Sequence, residues 1–146
     1  MKFLVLWGKR NHGKTQTLNL LAVELGAVCA EIKKDAHYII PYNNKIIAIT
    51  TKGDDEQSLK NEFKSLPTNA DLYICASRTK GSAVKYIEKC AAKDEIYWLS
   101  KTSLSLEQNG QYNDSVFLNT KQNYLNQTQA KEMKKIIDAF ISNGII

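Results

Sequence analysis

The chain has 146 residues, with 20 Lys+Arg against 15 Asp+Glu and a formal net charge of +5. Hydrophobic residues make up 43% and charged residues 24%, which excludes disordered, collagen-like and low-complexity classes; no apolar run reaches the roughly 20 residues that a bilayer span requires. The basic excess is 18 Lys and 2 Arg scattered along the chain, a solvated face and not the dense basic block of a nucleic-acid groove.

The length fits one domain over residues 1–146. Residues 2–7 form an apolar run closed by Gly8, a buried strand stopped by a turn. Over 14–25 the residues Leu18, Leu21, Ala22 and Leu25 recur at helical spacing, and Gly26 stands where a C-terminal glycine cap is expected. Residues 28–32 read as a second strand. Residues 37–41 and 45–51 bracket Asn43-Asn44, a pair that tolerates the positive φ of a tight hairpin, and Pro41 places the first of these strands at a sheet edge. Leu59, Phe63 and Leu66 give 55–66 one apolar face before Pro67, so it reads as an amphipathic helix. A strand over 70–76, a helix over 82–92 and a strand over 95–99 follow. Residues 100–120 are polar around Asn109-Gly110 and read as a loop or a second hairpin. Thr128 then precedes an amphipathic helix over 129–141.

The repeated β-α-β order predicts a three-layer α/β/α sandwich with a mostly parallel sheet. Three cysteines, Cys29, Cys75 and Cys90, lack metal-binding spacing and read as reduced thiols. The N-terminal run has no small-residue cleavage site after it, and a cytoplasmic protein without a membrane segment is expected.

Residues Gly8-Lys9-Arg10-Asn11-His12-Gly13-Lys14-Thr15 fit G-x-x-x-x-G-K-[ST] between the first strand and the first helix. A loop of this kind wraps a polyphosphate with its own amides. Gly8 and Gly13 permit close approach, the helix N-terminus faces the anion, Lys14 reaches the β- and γ-phosphates, and Thr15 offers a hydroxyl to Mg²⁺. On these residues the chain resembles the P-loop NTPase superfamily. The resemblance implies that superfamily's fold and a nucleotide site made by Gly8, Lys9, Arg10, Asn11, His12, Gly13, Lys14, Thr15 and Gln16. Lys9 sits where the septum-placement and plasmid-partition ATPases carry a second lysine that reaches a partner subunit's nucleotide, although Arg10 and Asn11 replace the two glycines of that motif. The run Ile32-Lys33-Lys34-Asp35-Ala36-His37 resembles a stretch of the molybdopterin-guanine dinucleotide biosynthesis adaptor, with Lys34 in place of its histidine. The guanine-reading N-K-x-D is missing, so ATP is favoured over GTP.

A hard Mg²⁺ ion beside phosphates calls for a carboxylate. Asp54, just beyond the 45–51 strand, is preferred as metal ligand or water-orienting group; Asp54-Asp55 also suits a helix N-terminus, and Asp35 is the second candidate. Arg78 follows another strand, where a guanidinium could stabilise charge on a γ-phosphate; a polar turn with Ser82 as helix cap is the alternative. The catalytic set is therefore Lys14, Asp54 and Arg78, and the metal set Thr15 and Asp54. The expected function is Mg²⁺-dependent NTP binding and hydrolysis. The alternatives are a small-molecule or nucleotide kinase, in which Arg78 and Lys80 grip the acceptor and 100–120 supplies a lid, and a nucleotide-dependent adaptor or homodimer.

Overall fold

The computed structural model describes residues 1–9, 13–103 and 114–146. Five strands form one sheet: β1 (Phe3–Trp7), β2 (His37–Tyr42), β3 (Lys45–Thr50), β4 (Leu72–Ser77) and β5 (Ile96–Ser100), in the order β2-β3-β4-β1-β5. Only β2 runs antiparallel; β3, β4, β1 and β5 are mutually parallel. The helices are α1 (Lys14–Glu24), α2 (Glu56–Ser65), α3 (Ser82–Cys90) and α4 (Ser115–Ser142).

The apolar run in β1 is continuous because both faces of the strand are covered. Leu4 and Leu6 face a core shared with Leu18 and Leu21 of α1 and Met133 and Ile137 of α4. Phe3 and Val5 point the other way, to Leu59 of α2 and Ile87 of α3. The fold is therefore α/β, with a mostly parallel sheet between helices on both faces. The hairpin β2-β3 turns at Asn43 and Asn44, with φ of 48° and 63°, and Pro41 lies in the edge strand, where a missing amide costs no ladder bond on the open side.

Two expectations fail. Residues 28–32 are not a strand: Val28 is 92% exposed, and the segment runs as a loop whose carbonyls at Ile32 and Lys34 accept the amide of Asn19 at 2.8 and 2.7 Å. A short apolar run bounded by charge cannot be told from a loop by pattern alone. The C-terminal helix begins at Ser115 and not near Gln129, so Val116, Phe117 and Leu118 belong to its first turn and not to a hairpin or a lid. Its cap is Asp114, whose carboxylate accepts the Phe117 amide at 2.8 Å. Ser100 of the expected lid ends β5, and residues 104–113, with Asn109-Gly110, lie outside the described residues.

At a rise of 1.5 Å per residue, the 28 residues of α4 span about 42 Å, far beyond the reach of a five-residue strand. Its C-terminal half carries the apolar stripe Ala130, Met133, Ile137 and Phe140. Its N-terminal half touches the edge where the parallel strands end. There Gln129 is buried, donating to the Ser100 carbonyl at 2.8 Å and accepting the Thr102 amide at 2.9 Å. Gln129→Leu leaves both backbone groups without a partner and is expected to cost about 1–3 kcal/mol in urea unfolding; a loss below a few tenths would contradict this role.

Candidate functional site

Each parallel strand continues, at its carboxyl end, into a segment at the same edge: Gly8 after β1, Thr51 to Asp55 after β3, Arg78 after β4 and Lys101 after β5. Open α/β sheets collect ligands at this edge. Backbone bonds lace the segments together, with the Gly8 amide donating to Ser77 at 3.0 Å and the Lys101 amide to Trp7 at 2.8 Å. At Gly53 a β-carbon would lie 1.7 Å from the Ala76 carbonyl oxygen, so only glycine lets the turn after β3 rest on β4.

Gly13 caps α1 with φ of 84° and no side chain caps the helix, which leaves its first amides for another acceptor. Lys14 opens α1 and is 8% exposed. Its ammonium folds back onto the carbonyls of Gly8 and Lys9 at 2.7 and 2.9 Å. Burial pushes its pKa below the ordinary lysine value, Asp54 partly opposes that, and Arg78 adds to it. Lys9 itself is exposed, and Gln16 is tied to Asn123 of α4 at 3.1 Å. Arg10, Asn11 and His12 lie outside the described residues.

Lys14, Thr15, Asp35, Thr51 and Asp54 line one recess of about 180 Å³. Asp35 stands on a loop and not at a strand end. Its carboxylate accepts the hydroxyls of Thr15 at 3.3 Å and Thr51 at 3.1 Å. Asn19, held by the Tyr38 hydroxyl at 2.6 Å, ties that loop to α1, and Thr51 ties it to β3 through the Ala36 amide. Asp54 faces Arg78, with Nε to Oδ1 at 3.6 Å, an ion pair too long for a hydrogen bond. Asp55 is occupied otherwise: it accepts the Ser58 amide at 2.8 Å as the cap of α2, and that bond holds its carboxyl below the usual range. The cap of α3 is Gly81 and not Ser82, whose hydroxyl accepts the Glu56 amide at 3.1 Å. Lys80 is exposed.

Thr15, Asp35 and Asp54 offer hard oxygen donors suited to a Mg²⁺ ion that keeps several waters. Among the described residues no cluster of three or more acidic, His or Cys side chains could cage an ion, so such an ion would need phosphate oxygens as well.

Two groups at this edge escaped the sequence reading. Lys101 is 8% exposed and its ammonium donates to the Thr102 carbonyl; burial, and then the charge of Lys14, push its pKa down to about 8. Asn126 of α4 is 1% exposed and lies against Gly13, where a β-carbon would come within 2.7 Å of its amide. Its oxygen accepts Gln122 at 2.8 Å, while among the described residues its Nδ2 has no hydrogen-bond partner; Arg78 Nε is likewise buried without a hydrogen bond, its ion pair with Asp54 aside. No periodicity marks either residue: Lys101 looks like the other seventeen lysines, and Asn126 sits in a polar stretch without an apolar stripe.

Gly53→Ala should lower stability by about 1–3 kcal/mol, read by thermal unfolding, because backbone must move to admit the methyl group; an unchanged midpoint would contradict the close approach. For Lys101 the folded chain loses its proton near pH 8 while the unfolded chain holds it into the ordinary lysine range. Between these values the unfolded state binds more protons, so stability rises with pH. The stability of the chain minus that of Lys101→Met should therefore rise between pH 8 and 9.5, and a flat difference would contradict the burial. Among the described residues no helix is long and apolar enough to cross a membrane. In comparisons with known proteins, the chain matches no family model, no curated protein and no solved structure.

Proposed function

We propose that this chain binds a magnesium nucleoside triphosphate through Gly8 to Thr15 and hydrolyses it, as a small protein of P-loop NTPase fold, with ATP as the preferred nucleotide. The observation that carries the reading is Lys14: a buried ammonium, bound only to the carbonyls of Gly8 and Lys9 among its described hydrogen bonds, at the junction of a central parallel strand with an uncapped helix N-terminus. A cation is costly to bury without a counter-charge. A polyphosphate would supply it.

The surplus of donors points the same way. Among the described residues Arg78 Nε and Asn126 Nδ2 are buried without a hydrogen-bond acceptor, and phosphate oxygens are acceptors only. Mg²⁺, when bound, would neutralise charge on the β- and γ-phosphates, with Thr15 and Asp35 or Asp54 as its protein oxygens. Lys14 would hold the phosphates in place, Asp54 would orient the attacking water, and Arg78 would meet the charge that grows on the γ-phosphate as the bond breaks. The Arg78–Asp54 pair sets the guanidinium beside a carboxylate that lines the recess. No acceptor other than water is needed by this arrangement.

The test is Mg²⁺-dependent release of phosphate from ATP by the intact chain. Arg78→Ala should lower turnover about 100-fold while affinity for ATP falls far less, the split expected of a group that acts on the transition state; equal losses would make Arg78 a ground-state anchor. Asp54→Asn should weaken the Mg²⁺ dependence more than Asp55→Asn, because Asp55 is committed to the cap of α2. The reverse ranking would overturn the assignment of Asp54.

A further inference from the structure

The carboxyl edge of β5 carries a lysine that the phosphate-loop pattern does not contain. Lys101 lies beside Gly8: the two segments are neighbours in register, the Lys101 amide donates to Trp7, and a β-carbon on Gly8 would come within 2.9 Å of the Lys101 β-carbon. Only a glycine at position 8 leaves that side chain room to pass. The Lys101 side chain is 8% exposed, and its ammonium donates to the carbonyl of Thr102. With Lys9 and Thr79 it lines a recess on the side of Gly8 away from Asp35 and Asp54, neither of which borders it.

Among the described residues the charges around it do not balance. Lys14 at the start of α1 and Lys9 after β1 are cations, and Arg78 after β4 is already beside Asp54. From α4 the segment is clamped by Gln129, which is uncharged. No carboxylate pairs with Lys101 among the described residues. Two lysines, each 8% exposed, with burial weakening the hold of both on their protons and the charge of Lys14 weakening that of Lys101 further, are an arrangement that folding alone penalises. A polyanion placed between them removes the penalty.

We propose that Lys101 is a second phosphate-binding lysine, which with Lys14 grips the polyphosphate of the nucleotide from the β5 side of Gly8. The proposal rests on the phosphate-loop reading and extends it to a residue outside the loop. An anion at this place favours the ammonium form, so a fraction of Lys101 that is neutral above pH 8 takes up a proton when the anion binds. Neutral Lys101 binds the phosphates less well, and affinity therefore falls as pH rises past 8. A side chain with a structural role alone would give neither effect.

The experiment is calorimetric titration of the intact chain, Lys101→Met and Lys101→Arg with ATP and, separately, with inorganic tripolyphosphate, at pH 8.5 in two buffers of different ionisation heat. The unchanged chain is expected to show buffer-dependent heats that report proton uptake. Lys101→Met should bind both ligands about 10- to 100-fold more weakly, the scale of one lost charge-assisted contact. Lys101→Arg, which stays charged, should retain most of the affinity and lose the buffer dependence. Thermal melts verify that the variants fold; should Lys101→Met not fold, Lys101→Arg and the heats of the unchanged chain still decide. Binding that needs Lys14 but survives Lys101→Met unaltered overturns the proposal and leaves the phosphate loop standing. A loss with ATP but not with tripolyphosphate also overturns it, by placing Lys101 on the sugar or base. Failure of the unchanged chain to bind either ligand overturns both readings.

Discussion

Burial of the Lys14 ammonium at the junction of β1 and α1 is the constraint around which the carboxyl edge of the sheet is organised. Among the described residues the group has two carbonyls for partners and no hydrogen-bonded counter-charge. It is kept there by the cap at Gly13, by Asn126 pressed against that glycine, and by the lacing of β1 to β4 and β5 through Gly8 and Trp7. Such a cation lowers stability unless something negative arrives. The molecule gives up stability at the place where a ligand would restore it, which is how binding sites commonly depart from well-packed folds.

Two recesses at this edge differ in chemistry. On the side of α1 that faces the 31–36 loop, Asp35, Thr15 and Thr51 gather oxygens, and the loop stands where it does because Asn19 and Thr51 satisfy its backbone. On the opposite side Lys101 and Gly8 meet, and the groups are cationic. Between them, Gly53 brings the turn after β3 against β4, so that Asp54 meets Arg78. In the proposed reading an ion would sit on the Asp35 side, where Lys14 lines the recess, and the anion would reach towards Lys101.

Much of this was legible in the sequence because the relevant signals are local. Gly8, Gly13 and Lys14 lie between an apolar run and a helical period, and the hairpin announces itself in Asn43-Asn44. Asp55 and Asp54 could be listed as neighbours, but which one caps α2 and which faces the recess is a matter of one backbone turn. The loop at 28–36 was hidden because β-branched residues there mimic a strand, while the bonds that hold it come from Asn19 and Thr51, distant in sequence. The first half of α4 was hidden for the opposite reason. It packs through amide side chains, Asn123, Asn126 and Gln129, onto loops and not onto the sheet, and so carries no apolar stripe to read. Lys101 has no local mark at all; its character comes from β5 lying beside β1.

The most direct measurement is calorimetric titration of the intact chain with ATP in the presence of Mg²⁺, repeated with Lys14→Ala at matched fold stability. The account predicts saturable binding by the unchanged chain and a loss of about 10- to 100-fold or more in the variant, since the buried ammonium stands at the start of α1 and Asp54 offsets its burial only partly. Equal affinity in the two proteins would contradict it, because the phosphates would then be held elsewhere or not at all.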